Sequence, residues 1–218
     1  MPKVCWINKA LLLLATVLLA TACKPKTAQN EAKLPVLGPM ELVNQADGSV
    51  DTIFFPYPNF QLEDQYGLTV TPDSLKNQVL VVDFFFSTCP TICKDLLRNM
   101  RQVHAKWAAD GRVRLLSHSV DPAYDTRQVL AAYAASAGAT GRNWLFLRGE
   151  EAVIYDLAQK AYLSQAQADS NAPGGFLHSG HIILLDAHKR IRGVYDGTDD
   201  SQLPVLLAGI ESLLAESH

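Results

Sequence analysis

The stretch that decides both the fold and the site runs from Val79 to Cys93 and reads Val-Leu-Val-Val-Asp-Phe-Phe-Phe-Ser-Thr-Cys-Pro-Thr-Ile-Cys. Its first half is an apolar run broken only by Asp83, which predicts a central strand covered on both faces. Two cysteines, Cys89 and Cys93, follow four positions apart. If Pro90 opens a helix, both lie on one face of it, and the helix N-terminus favours their thiolate forms. The pattern therefore indicates a disulfide or a shared metal ion.

The cysteine pair has a structural alternative, which is a stabilising disulfide of the kind that extracytoplasmic proteins use. A bridge between Cys89 and Cys93 closes so short a loop that it restricts the unfolded chain little. Its contribution to stability would be small for that reason. We therefore favour a chemical role for the pair.

The N-terminus carries the pattern of a secretory signal. Lys3 and Lys9 accompany an almost wholly apolar run, residues 10–20, which is too short to span a bilayer comfortably. The small residues Ala20-Thr-Ala22 then lead into Cys23. Small residues ending at a cysteine resemble a bacterial lipobox, which implies cleavage before this cysteine and its lipidation.

This signal predicts that the rest of the chain is lipid-anchored on the periplasmic side of a bacterial membrane. An uncleaved N-terminal anchor is the alternative, and it also places the rest outside the cytoplasm. We assign residues 1–22 to a signal peptide, residues 23–50 to the lipidated cysteine and a flexible linker, and residues 51–218 to the folded domain. The linker is predicted because residues 24–50 lack sustained periodicity, and a flexible chain of that length spans about 30 Å.

Composition agrees with one folded domain on such a tether. The 218-residue chain is 48% hydrophobic and 19% charged, which supplies ample material for a core. Its formal net charge is -3, and removal of residues 1–22, which hold two lysines and no acid, makes it -5. The sequence has no basic patch with interleaved aromatic residues, so we expect no nucleic-acid partner.

From residue 52 onward the hydrophobic pattern alternates between strand and helix. Tyr57-Pro58 and Thr71-Pro72 punctuate the first short strands. The alternation that follows is typical of parallel strands joined by helices, and it ends in a hairpin and a final helix. The predicted strands are 52–60, 67–70, 79–86, 113–120, 144–147, 181–186 and 191–195, and the predicted helices are 91–109, 126–137, 150–163 and 201–215.

This order predicts an α/β fold of the thioredoxin-like type, with a mixed sheet and helices on both faces. The strand at 79–86 leads into the cysteines, and the first hairpin strand, at 181–186, runs antiparallel to it. His178 precedes that hairpin strand. The layout therefore places His178 at the same edge of the sheet as Cys89 and Cys93.

Three motifs in this order resemble the Sco/SenC family. They are Cys89-Pro-Thr-Ile-Cys93 after an aromatic strand, Ser119-Val-Asp-Pro-Ala-Tyr-Asp-Thr126 after the next strand, and His178-Ser179 before the hairpin. The resemblance covers about residues 52–215. It implies a membrane-attached, thioredoxin-fold, copper-binding protein that takes part in building the dinuclear copper centre of cytochrome c oxidase.

The resemblance also assigns roles to residues. It implies that Cys89, Cys93 and His178 are the copper ligands, and it places the Asp-Pro loop at Asp121 near the site. The partners that it implies are the copper-bearing subunit of cytochrome c oxidase and other copper carriers. The membrane is a further expected partner, through the lipid on Cys23.

The sequence departs from the family pattern at two places. Many members have proline after the second cysteine, where this chain has Lys94, which changes the local charge more than the ligand set. The end of the hairpin, at residues 192–198, also differs from the more familiar pattern and leaves partner recognition open.

Ligand chemistry leads to the same metal. Two thiolates and an imidazole suit soft Cu(I), and the imidazole also tolerates Cu(II). Zinc would prefer a fourth ligand, and none is obvious in the sequence. Without metal the pair is free for dithiol chemistry. The leading hypothesis is a lipid-tethered copper metallochaperone, the second is a thiol-disulfide reductase that acts on an oxidase subunit or another extracytoplasmic partner, and the third is a peroxidase-like thioredoxin relative.

Three further residues have open roles. Asp83 is either a buried acid beneath the cysteines with a shifted pKa, as in thioredoxins, or a side chain that reaches solvent. His118 ends a strand near the site edge and either supports the ligands from outside or is a structural histidine. His181 lies three residues from His178, so the two point to opposite faces of an extended segment, and we expect His181 to be a sheet residue.

Overall fold

The computed structural model of the chain describes residues 33–38, 40–45, 47–54 and 57–216. A π-helical turn at Leu157–Ala161 follows the third helix. The strands and helices of the described residues are β1 (Met40–Asn44), β2 (Val50–Phe54), β3 (Leu62–Asp64), β4 (Thr69–Val70), β5 (Val79–Phe85), α1 (Cys93–Trp107), β6 (Val113–Ser119), α2 (Arg127–Ala137), β7 (Trp144–Arg148), α3 (Glu151–Asp156), β8 (Ala166–Ala168), β9 (Phe176–His178), β10 (His181–Leu185), β11 (Ile191–Asp196) and α4 (Leu203–Glu216).

A seven-stranded mixed sheet organises these elements, in the strand order β11-β10-β5-β6-β7-β3-β4. β5, β6 and β7 are parallel, whereas β10 runs antiparallel to β5 and pairs with β11 as an antiparallel hairpin. Every residue of β5 is buried, as expected for a strand with a core on each face. The prediction of parallel strands followed by a hairpin is therefore confirmed.

Helices cover both faces of this sheet. α1, α2 and α4 pack on one face, where Leu96, Leu130 and Leu206 belong to a single hydrophobic core. α3 and the π-helical turn pack on the other face, where Ile154 and Leu157 are buried. This arrangement confirms the predicted α/β architecture.

Local sequence signals set the ends of α2, whereas α3 is shorter than predicted. The Thr126 side chain accepts a hydrogen bond from Val129 N at the start of α2, and Gly138 ends the helix in the left-handed conformation, at φ 74°. α3 gives way to the π-helical turn at Leu157–Ala161.

The prediction that Pro90 opens a helix is wrong. α1 begins at Cys93, and residues 89–92 form irregular structure before it. The backbone N–H of Cys89 donates to Phe86 O at 3.1 Å, so the chain turns directly after β5. This turn, rather than a shared helix face, brings the two cysteines together.

The linker prediction for residues 24–50 is wrong in the part that the structure describes. Leu37 forms an antiparallel bridge with Ile191, at the free edge of β11. The Arg192 guanidinium donates to Leu34 O at 2.6 and 3.1 Å. β1 and β2 then pair as an antiparallel hairpin. An edge strand offers unpaired backbone groups to any adjacent segment, and this attraction leaves no periodic signal in the sequence.

The predicted signal peptide, Cys23 and the first part of the linker lie outside the described residues. Among the helices that the structure does describe, none has the length and apolar character needed to cross a membrane.

Candidate metal centre

Cys89 and Cys93 lie where the chain leaves the sheet after β5. Cys93 is the first residue of α1 and is 4% exposed, in the same core as Leu96 and Met100. Cys89 is half-buried in the preceding turn. Both are free thiols. Cys89 is therefore the sulfur that a partner molecule can approach.

His178 reaches the cysteines from β9, a strand that the sequence pattern did not predict. β8 and β9 form a separate two-stranded sheet in which Ala166 lies opposite His178, and strands of three residues give no periodicity to detect. His178 is 8% exposed, and its Nδ1 lies 3.2 Å from Ser179 O. With the proton on Nδ1, the lone pair of Nε2 is free for a metal.

The Nε2 atom of His178 faces both sulfurs. It lies 3.3 Å from Cys93 Sγ and 3.9 Å from Cys89 Sγ. The three ligand atoms all lie within 4.8 Å of one another, and among the described residues no other group of three His, Cys, Asp or Glu side chains is placed to hold a metal ion. The structure thus brings together the three residues that were predicted to bind metal.

The two thiols have opposite pKa shifts. The hydrogen bond from Cys93 lowers the pKa of Cys89, and the contacts with His178 and with the backbone N–H of Thr91 act in the same direction against the effect of burial. The same hydrogen bond, together with burial, raises the pKa of Cys93. The metal-free pair therefore shares one proton, with Cys89 as the thiolate.

A buried carboxylate that the sequence analysis did not single out holds the turn before Cys89. Asp125 has no solvent exposure, and its carboxylate accepts hydrogen bonds from Ser87 N at 3.2 Å, from Ser87 Oγ, and from Ser119 Oγ at 2.5 Å. It belongs to the Asp-Pro loop at Asp121, which the resemblance placed near the site, and it joins that loop to the cysteine turn. The Asp121 carboxylate accepts a hydrogen bond from Tyr124 N.

A glycine covers the other side of the cysteine turn. Gly174 has a φ of 80°, and a Cβ atom there would lie 2.7 Å from Phe86 Cε2 and 3.3 Å from Pro90 Cδ. The Phe86 ring also meets the His178 ring edge-on, with 5.6 Å between centroids. The aromatic end of β5 thus packs against both the cysteine turn and the histidine.

Asp83 is a buried acid next to the site, so the alternative that it reaches solvent is wrong. Asp83 is 4% exposed and accepts a hydrogen bond from Ser117 Oγ at 2.5 Å, and Trp144 Nε1 donates to the same hydroxyl at 2.9 Å. Burial raises the pKa of Asp83 to about 7, while the Ser117 hydrogen bond and the charge of His178 oppose the rise. Its carboxyl group therefore titrates near neutral pH.

Asp83→Asn should change the pH dependence of stability. Because the pKa of Asp83 rises from 3.8 in its ordinary state to about 7 in the fold, the folded protein holds a proton that the unfolded chain releases, and stability falls as pH rises. Between about pH 5 and pH 8 the free energy of unfolding of wild type should fall by ~2–3 kcal/mol through Asp83. Asp83→Asn cannot titrate, so the variant should lack this fall. Urea denaturation across that range measures both, and a pH-independent difference between them would contradict the assignment.

The two other candidate histidines do not join the ligand set. His181 is exposed at the start of β10, opposite Asp196, as expected for a sheet residue. His118 is fully buried, with its ring 5.2 Å from that of Phe84 and 5.4 Å from that of Tyr162. Neither of its ring nitrogens has a hydrogen-bond partner among the described residues, and burial lowers its pKa to about 3. His118 is a neutral core residue.

The arrangement supports two kinds of chemistry at one place. Two sulfurs and one imidazole nitrogen make a three-coordinate soft site that suits Cu(I), and within the described part of the chain no fourth His, Cys, Asp or Glu completes the tetrahedron that zinc prefers. Without metal, an approachable Cys89 beside a buried Cys93 is suited to thiol-disulfide exchange.

The region that carries this site matches a known family and a known protein. The family model for SCO1/SenC matches residues 56–215. The SCO1 protein homolog of Bacillus subtilis is 28% identical to this chain over 167 residues, which cover 74% of this chain and 84% of that protein. Both cysteines and the histidine lie inside the residues matched by the family model.

Several solved structures of Sco proteins have a fold similar to that of this chain. A SCO1/SenC family lipoprotein from Bacillus anthracis gives a TM-score of 0.67 at 24% identity, covering 73% of this chain and 95% of that chain. BsSco, described as a member of the Sco family of cytochrome c oxidase assembly proteins with a disulfide switch, gives 0.65 at 26% identity, with 74% and 94% covered. Arabidopsis thaliana ScoI, solved with copper bound, gives 0.60 at 23% identity, with 73% and 98% covered.

Proposed function

Because the chain belongs to the SCO1/SenC family, we propose that it is a copper metallochaperone that takes part in the assembly of cytochrome c oxidase. The observation that carries the proposal is the convergence of Cys89 Sγ, Cys93 Sγ and His178 Nε2 within 4.8 Å. A single Cu(I) ion is the cargo that such a soft, three-ligand site holds best. BsSco is described as an oxidase assembly protein and ScoI was solved with copper, which supports this assignment.

The three proposed ligands differ in how accessible they are, and this difference suggests a route for copper transfer. Cys93 and His178 are buried, whereas Cys89 is half-exposed. A ligand of the partner therefore reaches the ion on the Cys89 side. Copper then moves by ligand exchange, in which the partner replaces Cys89 first and the buried Cys93 and His178 last. The partner that we propose is the copper-bearing subunit of cytochrome c oxidase.

The function is tested by loading and transfer. The reduced protein should take up one equivalent of Cu(I), with sulfur and nitrogen neighbours in X-ray absorption. When it is mixed with the isolated copper domain of the oxidase subunit, copper should appear on that domain while Cys89 and Cys93 remain alkylatable. A spectrum with only oxygen and nitrogen neighbours would contradict the proposed site.

Thiol-disulfide reduction is the second candidate function, and the half-exposed Cys89 thiolate beside the buried Cys93 favours it. Cys89 would attack a disulfide of the partner, forming a mixed disulfide and releasing one partner thiol. Cys93 would then lose its proton and attack the Cys89 sulfur, releasing the second thiol. The partner gains two electrons from this chain and two protons, one from Cys93 and one from solvent because Cys89 attacks as the thiolate, and this chain is left with a Cys89–Cys93 disulfide. In the transfer experiment, a Cys89–Cys93 disulfide that forms while copper stays on this chain would show that the protein acts as a reductase.

Cys89 and Cys93 should form a reversible disulfide. The sulfurs lie within the 4.8 Å that encloses the three ligand atoms, and Cys89 lies in a turn rather than in a helix or strand, so a small movement can join them. Alkylation followed by intact-mass measurement across a series of glutathione ratios should show a loss of two hydrogens that reduction restores. A pair that stays fully alkylatable after mild oxidation would contradict the prediction.

If Cys23 is lipidated, the proposed membrane tether reaches the part of the chain that the structure describes near Leu34, whose carbonyl accepts a hydrogen bond from Arg192 Nη2 at 2.6 Å. Leu37 meets Ile191 at the start of β11, whereas Gly197 N, just beyond the end of β11, bonds Gly180 O near His178. The tether therefore joins the domain at the end of β11 away from the copper site.

Cys23→Ala should release the protein from the membrane. Acyl chains anchor a protein through buried methylene groups rather than charge, so wild type should stay with membranes through a high-salt wash. The variant should appear in the soluble extracytoplasmic fraction, with Cu(I) binding by the folded domain unchanged. Mass spectrometry of the mature N-terminus checks the modification directly. An unmodified Cys23, or retention of residues 1–22, would overturn the lipoprotein assignment and leave the copper site standing.

A further inference from the structure

We infer that Asp125 is a positioning residue for the copper site, because its carboxylate fixes the turn that carries Cys89 and thereby keeps the Cys89 sulfur beside Cys93 and His178. The role in copper binding rests on the proposed function, whereas the link between Asp125 and the cysteine turn rests on hydrogen bonds. The hydrogen bonds of the Asp125 carboxylate go to Ser87 and Ser119, so it acts on the site through Ser87.

The Asp125 carboxylate joins two segments of chain. Its Oδ2 accepts hydrogen bonds from Ser87 N at 3.2 Å and Ser119 Oγ at 2.5 Å, and its Oδ1 accepts one from Ser87 Oγ. Ser87 lies two residues beyond β5 and two residues before Cys89, whereas Ser119 is the last residue of β6. The carboxylate therefore ties the cysteine turn, through both backbone and side chain, to the end of the neighbouring strand.

The loop that holds Asp125 is itself fastened to the sheet. Arg148, at the end of β7, donates from Nε to Asp125 O at 3.1 Å and from Nη2 to Pro122 O at 3.0 Å. Its Nη1 pairs with Glu63 of β3 at 3.0 Å. The next residue, Thr126, caps α2. Asp125 thus transmits the position of the sheet to the turn at Ser87.

Cys89 is the ligand that most needs such a restraint. Cys93 is fixed by α1 and the core around it, and His178 by its pairing in β9. Cys89 belongs to neither a helix nor a strand, and its own N–H bond goes to Phe86 O within the same turn. A fully buried carboxylate is costly to maintain unless it is well bonded, and two of the three bonds made by Asp125 go to this turn.

The test uses two variants that break the link and two that do not. Asp125→Ala removes the carboxylate, and Ser87→Ala removes the side-chain half of the link. Ser119→Ala removes a bond to the same carboxylate without touching the cysteine turn. Asp121→Ala alters the same loop at a carboxylate that bonds Tyr124 N. Each reduced protein is measured for its unfolding curve, its Cu(I) affinity against a competing chelator, and the equilibrium of its cysteine pair with glutathione.

We expect Asp125→Ala and Ser87→Ala to weaken Cu(I) binding by ~10–100-fold, which is the usual effect of losing a group that orients a metal ligand. Both variants should also form the Cys89–Cys93 disulfide less readily, with an equilibrium constant against glutathione about tenfold lower than that of wild type. Ser119→Ala and Asp121→Ala should change both by less than about threefold. The Ser87→Ala/Asp125→Ala double variant should bind copper no more weakly than Asp125→Ala, because the two residues act through one link.

Unchanged Cu(I) affinity and an unchanged glutathione equilibrium in Asp125→Ala would overturn the inference, as would equal effects in Ser119→Ala. If Asp125→Ala does not fold, Ser87→Ala decides by the same two measurements. If wild type binds no Cu(I), the proposed function is wrong, but the role of Asp125 in the cysteine turn can still be tested. The glutathione equilibrium measures that role on the metal-free protein.

Discussion

Cys93→Ser should abolish tight Cu(I) binding, and Cys89→Ser should do the same. Each substitution replaces a soft thiolate with a hydroxyl and leaves the ion one sulfur and one imidazole, so the loss should exceed the ~10–100-fold that changes outside the ligand set produce. Competition with a Cu(I) chelator measures the affinity, and X-ray absorption should show one sulfur neighbour fewer. Binding within tenfold of wild type in either variant would contradict the three-ligand site.

Two further variants sharpen this result. Thr91→Val is the matched control, because Thr91 Oγ1 lies 3.7 Å from Cys89 Sγ and is not a proposed ligand, so its loss of Cu(I) affinity should stay well below that of either cysteine substitution. His178→Ala keeps both sulfurs, which suffice to hold Cu(I), but it removes the ligand that tolerates Cu(II). We therefore expect its main defect in the retention of Cu(II).

The order of the strands is enough to predict that Cys89, Cys93 and His178 lie close together. The buried strand β5 ends at the cysteines, and β10 runs antiparallel to β5, so a residue just before β10 has to lie at the same edge of the sheet. This argument places His178 beside Cys89 and Cys93, which precede it by 89 and 85 residues. It needed only the period of the strands and the right order of elements.

Features fixed by single long-range contacts escaped the sequence analysis. The sequence predicts that Pro90 opens α1, but Pro90 lies in the turn before the helix, at a place that Gly174 approaches only in the folded chain. Asp125 belongs to the motif at residues 119–126, yet nothing in the sequence shows that its carboxylate accepts a hydrogen bond from Ser87 N. The segment at Leu34 lacks a periodic pattern because backbone bonds hold much of it, from the Arg192 side chain to Leu34 O and from Leu37 N to β11. Among residues 33–38, only the Leu34 side chain packs against the hydrophobic core.

That arginine, Arg192, lies at the centre of a buried ion cluster at the start of β11. It is 4% exposed and lies 3.1 Å from Asp186 and 2.9 Å from Glu216, in addition to its bonds to Leu34 O. Asp186 is 7% exposed in its side chain and also pairs with Arg190 at 2.8 Å. Arg190 is more exposed, at 35% of its side chain. The cluster joins three segments that are far apart in sequence.

Arg192→Ala should destabilise the fold by ~2–4 kcal/mol, because it removes a buried guanidinium that bonds Asp186, Glu216 and Leu34 O. Asp186 keeps its pair with Arg190, so most of the cost comes from the bonds lost at Glu216 and Leu34 O. Arg190→Ala is the matched control, since it pairs with the same carboxylate from the surface and should cost about 1 kcal/mol or less. Urea denaturation measures both, and hydrogen exchange at Leu37 N–H should speed up only in Arg192→Ala, which also releases Leu34. Cu(I) affinity should stay unchanged, because β11 separates this cluster from the cysteines. A cost for Arg192→Ala no larger than for Arg190→Ala would show that the cluster does not fasten the N-terminal segment.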